Sequence, residues 1–243
     1  MIHNIVELRE RFGHLLDTLC DDYHLGDYID GGTCAEDIDC SWEGYNDAAD
    51  NLGIWTASGA TKFVIGDDNC DYIIKFCPHE EGYDYCAREV EVYEEAVRAG
   101  YADKFAWCAH LFGYDFNEST NLDVYVMEWC KCGYDMIDDE MDDYHFTKYC
   151  TSHNIDKKAD GAYDEYNSKE RYNGEYDERM MEWAFSVWGL DYHNPEHYVF
   201  CNFMKKMFIN DIHAGNWGWC NNRLVLTDYS GYGDCHSCRS INY

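Results

Sequence analysis

Phe208-Ile209-Asn210-Asp211-Ile212-His213-Ala214-Gly215-Asn216 and, a little further on, Leu224-Val225-Leu226-Thr227-Asp228-Tyr229-Ser230-Gly231 are the stretches on which the reading of this chain turns. The first puts a carboxylate, Asp211, and an amide, Asn216, in one short loop. The second ends an apolar strand on another carboxylate, Asp228. Side-chain oxygens from Asn216 and Asp228 make a hard donor set of the kind Mg2+ takes. An acid close to that set in sequence is a candidate to receive a proton from a hydroxyl.

A base for the nucleophile, with an amide and a carboxylate to hold Mg2+ on ATP, is what phosphoryl transfer requires. In order and spacing the two stretches resemble the catalytic loop and metal-binding turn of the protein kinase-like superfamily, including its aminoglycoside phosphotransferase branch. The resemblance implies ATP and Mg2+ as cofactors, Asp211 as the base, and Asn216 and Asp228 as metal ligands. His213 matches a histidine often found in this loop in the small-molecule kinases. Ile209 stands where the family usually has histidine or another residue, two before the base. The turn Asp-Tyr-Ser-Gly is one residue longer than the Asp-Phe-Gly of protein kinases. Fifteen residues follow Asp228, too few for the segment and helices that present a peptide in protein kinases. The acceptor is then expected on an acidic surface of this chain or on a second subunit.

Upstream, Lys62-Phe63-Val64-Ile65 and Tyr72-Ile73-Ile74-Lys75-Phe76 read as strands joined by the turn Gly66-Asp67-Asp68-Asn69. A helix over Tyr85 to Ala99 follows, with Val90, Tyr93, Ala96 and Val97 on one face. Ala106 to Tyr114 and Leu122 to Trp129 read as two more strands. Lys75 lies in an apolar run and is costly to bury without a partner. The resemblance makes it the cation for the ATP phosphates and Glu89 its partner, with Glu91 and Glu94 as competitors on the same helix. A solvent-facing edge-strand lysine is the other reading of Lys75. Ala57-Ser58-Gly59-Ala60-Thr61 reads either as an ordinary hairpin turn or, through Ser58, Gly59, Ala60 and Thr61, as a loop that covers the nucleotide. The resemblance implies that the segment Glu128-Trp129-Cys130 is the hinge, where adenine would meet backbone.

The fold class expected is α+β: a two-lobed kinase-like fold with a small lobe of antiparallel strands plus one helix and a reduced, mostly helical large lobe. Residues 1–50 read as an N-terminal helix and acidic segment, 51–130 as the small lobe and 131–243 as the large lobe. The helix falls at residues 2 to 20, with Ile2, Ile5, Val6, Leu8, Phe12, Leu15, Leu16 and Leu19 at helical spacings. Residues 134 to 182 read as a polar, partly helical insertion, least periodic at about 150–180. Met180 to Trp188 and Glu196 to Phe208 read as helices, the latter opened by Pro195.

The formal charge is −30, from 48 acids against 18 bases. Phosphate contacts need clustered Lys and Arg, so direct nucleic-acid binding is not expected. Between Gly13 and Thr61 there is no Lys or Arg while Asp21, Asp22, Asp27, Asp30, Glu36, Asp37 and Asp39 recur. That stretch reads either as a solvated acidic loop or as a surface for a basic protein. The competing function is thus a kinase-like acidic protein without catalysis, binding a basic partner or imitating nucleic acid. The start of the chain has no basic segment leading into an apolar core, and no stretch approaches a membrane span. The expected location is the reducing cytoplasm, with the 14 cysteines mostly free. Cys130-Lys131-Cys132 and Cys235-His236-Ser237-Cys238 lack partner pairs at zinc-site spacing.

Overall fold

Short β-branched and aromatic runs punctuated by turn residues build a five-stranded antiparallel sheet in the order β1-β2-β3-β5-β4. The strands are β1 (Ile54–Ser58), β2 (Phe63–Asp67), β3 (Tyr72–Phe76), β4 (Cys108–Asp115) and β5 (Asn121–Glu128). They come from a computed structural model that describes residues 3–29, 34–59, 61–78, 84–169, 171 and 176–230. The architecture is α+β and the chain divides into two units, Met1–Trp129 and Cys130–Tyr243. No helix among the described residues is long and apolar enough to cross a membrane.

In the first unit, α1 (Ile5–Asp21) starts at Asn4, whose side chain accepts from the Glu7 N–H. It buries Leu8, Phe12, Leu16 and Leu19 in a core shared with Phe63, Ile65, Ile74 and Phe76 of the sheet. Val6, expected on that stripe, is exposed, and Ile2 lies outside the described residues. The edge strand β4 shifts register between His110 and Phe112. Arg9 of α1 donates to the Leu111 carbonyl at this irregularity, at 2.6 Å, so the bulge is covered by a charged side chain.

The acidic stretch that reads as a possible solvated loop folds instead into α2 (Ala35–Ser41) and α3 (Tyr45–Leu52). Ala35, Ile38, Trp42 and Ala48 turn inward, while Glu36, Asp37 and Asp39 stay exposed. Widely spaced apolar residues are enough to dock helices this short, which is why a high acid content hid them. Gly26 fits because a Cβ there would lie 2.0 Å from the Phe116 carbonyl oxygen. Asn117 Nδ2 then donates to the Gly26 and Ile29 carbonyls at 2.9 and 2.7 Å.

Between β3 and β4 runs α4 (Tyr85–Ala99), capped by Asp84, which accepts from the Cys86 and Ala87 N–H groups. Its buried face is Cys86, Glu89, Val92 and Ala96, in place of the expected Val90, Tyr93, Ala96 and Val97. Val97 is exposed. An apolar-only pattern cannot count a buried glutamate as part of the inward stripe, and that displaced the expected face.

The second unit holds α5 (Tyr134–His153), α6 (Ala162–Lys169), α7 (Tyr176–Val187) and α8 (Pro195–Lys206). A small sheet ordered β6-β7-β8 is made of β6 (Lys131–Cys132), β7 (Trp217–Cys220) and β8 (Arg223–Leu226). Asn221 and Asn222 both have positive φ and close β7 onto β8 as a two-residue hairpin loop with Cys220 opposite Arg223.

The stretch read as a polar insertion is thus largely helical. Asp142 of α5 is its hub, accepting from the Tyr163 and Tyr166 hydroxyls at 2.6 and 2.9 Å and pairing with Arg179 at 3.2 Å. Tyr166, Phe146 and Tyr149 are buried around it. A satisfied polar network holds these helices together, and such a network leaves little apolar periodicity to read.

Candidate functional site

Lys75 lies on the central strand β3, paired with Val64 on β2 and Tyr125 on β5. Its Nζ stands 3.2 and 3.1 Å from the two carboxylate oxygens of Glu89 and 3.5 Å from Met127 Sδ. Lys75 is 6% exposed and Glu89 1%, so this is an ion pair withdrawn from water, not an edge lysine in solvent. The competitors face outward: Glu91 pairs with Arg88 and Glu94 with Arg98 on the exposed side of α4.

A second lysine joins the pair. Lys62, at the entry to β2, donates to Glu89 Oε1 at 2.8 Å and is itself buried. Sequence reading placed Lys62 only as the first residue of a strand. The available signal was that it is the first basic residue after a long stretch with none, immediately before an apolar run.

At the proposed nucleotide-covering turn, the Gly59 N–H donates to the Lys62 carbonyl at 3.1 Å and Ser58 pairs with Phe63, so the segment closes a hairpin. A Cβ at Gly59 would meet nothing within 4 Å. The Ser58 hydroxyl donates to Asp39, and Thr61 is half-buried. Ala60 lies outside the described residues. In the proposed hinge, Glu128 is buried and accepts from the Trp107 N–H at 2.9 Å. The Glu128 and Trp129 N–H groups donate to the Trp107 and Asp71 carbonyls, so neither serves as a free donor to a ligand. Cys130, also buried, belongs to the second unit.

In the second unit, α8 ends with Phe208 at positive φ, the Phe208 N–H donating to the Lys205 carbonyl and the Ile209 N–H to the Met204 carbonyl. This is a Schellman cap. It turns the chain into the Asp211 loop, which is anchored by the buried Ile209 and Ile212. Asn216 Nδ2 donates to the Asp211 carbonyl at 2.8 Å, which leaves Asn216 Oδ1 as the atom suited to a cation. His213 Nδ1 accepts from the Gly215 N–H, and its Nε2 stands 3.5 Å from Asp211 Oδ1.

The hairpin explains why two residues twelve apart belong together. Trp217 pairs with Leu226 and the Thr227 N–H donates to the Asn216 carbonyl at 2.8 Å. Asn216, just before β7, and Asp228, just after β8, therefore lie at the same end of the hairpin. Asp228 Oδ1 accepts from the Ser230 hydroxyl at 3.2 Å. Gly231 and the Cys235 and Cys238 pair fall outside the described residues. In the other thiol pair, Cys132 Sγ donates to the Cys130 carbonyl, and among the described residues neither cysteine belongs to a group of three metal-ligating side chains.

Comparison with protein-family models, curated proteins and solved structures finds no match for this chain.

Proposed function

We propose that this protein is an ATP- and Mg2+-dependent phosphotransferase that moves the γ-phosphoryl group to a hydroxyl on a protein or small molecule, with a kinase-like two-lobed fold. The observation that carries the reading is the buried Lys75–Glu89 pair between β3 and α4. Structural stability alone seldom favours such a pair, because desolvation offsets the attraction. A held ammonium suits phosphate oxygens.

In this reading Lys75 contacts the nucleotide phosphates while Glu89 keeps its ammonium oriented. Asn216 and Asp228 hold Mg2+, an all-oxygen set that fits a hard cation. Bound Mg2+ offsets the charge on the phosphoryl oxygens. Asp211 orients the acceptor hydroxyl and takes its proton, with His213 beside it.

A second reading, an acidic protein that binds a basic partner, is favoured by the exposed acids of α2 and the charge of −30. The unfolding temperature with and without Mg2+–ATP separates the two. A ligand at a hundred times its Kd stabilises by about 2.7 kcal/mol. The phosphotransferase reading expects a Mg2+-dependent upward shift that Asp228→Asn loses, and binding without transfer in Asp211→Asn. An equal shift in wild type and Asp228→Asn, or none at millimolar nucleotide, removes it. Salt-sensitive capture of a basic protein that survives Asp228→Asn supports the second reading.

A further inference from the structure

Within the first unit, three donor atoms outside the lysine–glutamate cluster converge. Cys77 directly follows β3, Asp84 caps α4, and Cys86 lies in its first turn. The two sulfurs are 3.6 Å apart, and one ligand atom from each of the three residues lies within 4.8 Å of the others. Among the described residues no other group of three His, Cys, Asp or Glu side chains meets that condition.

We propose that Cys77, Asp84 and Cys86 bind one thiophilic divalent cation of the zinc class. Two sulfurs on a tetrahedral zinc, each at about 2.3 Å from the metal, are separated by about 3.8 Å, close to the spacing already present. A sulfur–sulfur–oxygen set selects zinc over Mg2+, which prefers oxygen alone. The site is supported from behind as metal sites are. Asp84 Oδ1 takes the Cys86 and Ala87 N–H groups at 2.9 Å. Oδ2 takes the Tyr125 hydroxyl at 2.6 Å and keeps a further lone pair for the ion. That hydroxyl fixes the carboxylate as an outer-shell anchor does.

Binding forms two metal–sulfur bonds and one metal–oxygen bond, releases two thiol protons to solvent and changes no oxidation state. Three protein ligands leave the fourth position to water. The ion ties the chain two residues after Lys75 to the helix turn three residues before Glu89. It would hold β3 against α4 where the buried ion pair forms, whether or not the protein transfers phosphate.

The test titrates Co2+, then Zn2+, into the full-length reduced protein stripped by chelator. One equivalent of Co2+ is expected to give thiolate charge-transfer and tetrahedral d–d absorption, displaced by Zn2+, and Zn2+ is expected to raise the unfolding temperature. Cys77→Ser and Cys86→Ser should lose the bands, with a native far-ultraviolet spectrum as the folding control, while Cys130→Ser keeps them. Asp84→Asn retains a good helix cap, and should bind Co2+ at least tenfold more weakly. No thiolate–cobalt absorption overturns the proposal. So do bands that survive Cys77→Ser and Cys86→Ser, or a peptide map of air-oxidised protein in which both thiols are joined as a disulfide and metal binds equally well.

Discussion

Lys62 stands 2.8 Å from Glu89 Oε1, nearer than Lys75, whose closest approach to that carboxylate is 3.1 Å. One buried carboxylate therefore serves two buried ammonium groups, one on β3 and one just before β2, and Glu89 is the residue on which the cluster depends. Removing one partner of a buried charge pair costs about 3–5 kcal/mol. Glu89→Gln, of nearly the same volume, is expected to lose stability in that range by urea unfolding. Lys62→Met leaves the Lys75–Glu89 pair in place and should lose less, while keeping the Mg2+–ATP thermal shift that Lys75→Met abolishes. Loss of the shift in Lys62→Met and its retention in Lys75→Met would exchange the roles of the two lysines.

Phe208 holds a left-handed backbone conformation, φ 55°, at the helix-ending position that glycine or asparagine usually takes. Its ring is 71% exposed, so little burial offsets the strain. Phe208→Asn is expected to gain about 1 kcal/mol, or about 2–4 °C in unfolding temperature for a chain of this size. If phosphoryl transfer falls as stability rises, the exposed ring contributes to the acceptor side of the reaction.

Gly66 on β2 lies opposite Trp55 on β1, and a Cβ there would come within 2.1 Å of the indole ring. Gly66→Ala should cost about 1–3 kcal/mol through overpacking. The double variant Gly66→Ala/Trp55→Leu should recover part of that loss, a coupling measurable in a double-mutant cycle.

Acidification is expected to weaken the second unit in two steps. Burial against Phe185 and Tyr192, reinforced by the neighbouring His193, lowers the His197 pKa below its ordinary value. The unfolded chain then takes up the proton first, so this contribution is complete above about pH 6.5 and is lost as pH falls below it. Burial alone would raise the Asp142 pKa, but hydrogen bonds from Tyr163 and Tyr166, with Arg171 and Arg179, bring it below the ordinary 3.8. Its contribution is present above that value and is lost as pH falls through the folded-state pKa. Unfolding free energy followed from pH 8 to 3 should decline in both ranges. His145, whose pKa burial also lowers, shares the upper step, so His197→Gln should reduce that step without removing it, and Asp142→Asn should reduce only the lower.

Some of this was legible in the residues. The helix at Tyr85 to Ala99 and the strand at Tyr72 to Phe76 show in local pattern, because helical spacing and short apolar runs between turn residues are properties of neighbours in sequence. The same holds for the Pro195 helix start and the hairpin that brings Asn216 and Asp228 to one end. The α6 helix was not legible in this way, since Asp142, Tyr163, Tyr166 and Arg179 recognise one another across distant segments. The α2 helix carries too few apolar residues for a period to emerge.

The chain by itself determined which chemistry was available: an acid, an amide and a second acid at defined spacings, and a lysine in an apolar strand whose burial would demand a counter-charge. Only the tertiary structure decided which charge answered it. Glu89, Glu91 and Glu94 are equivalent as glutamates, and Lys62 is an ordinary strand-edge lysine until β2, β3 and α4 pack together. Helical phase and strand register then place one carboxylate within 3.2 Å of both ammonium groups and leave the other acids in water, because a buried charge persists only where a partner is within reach.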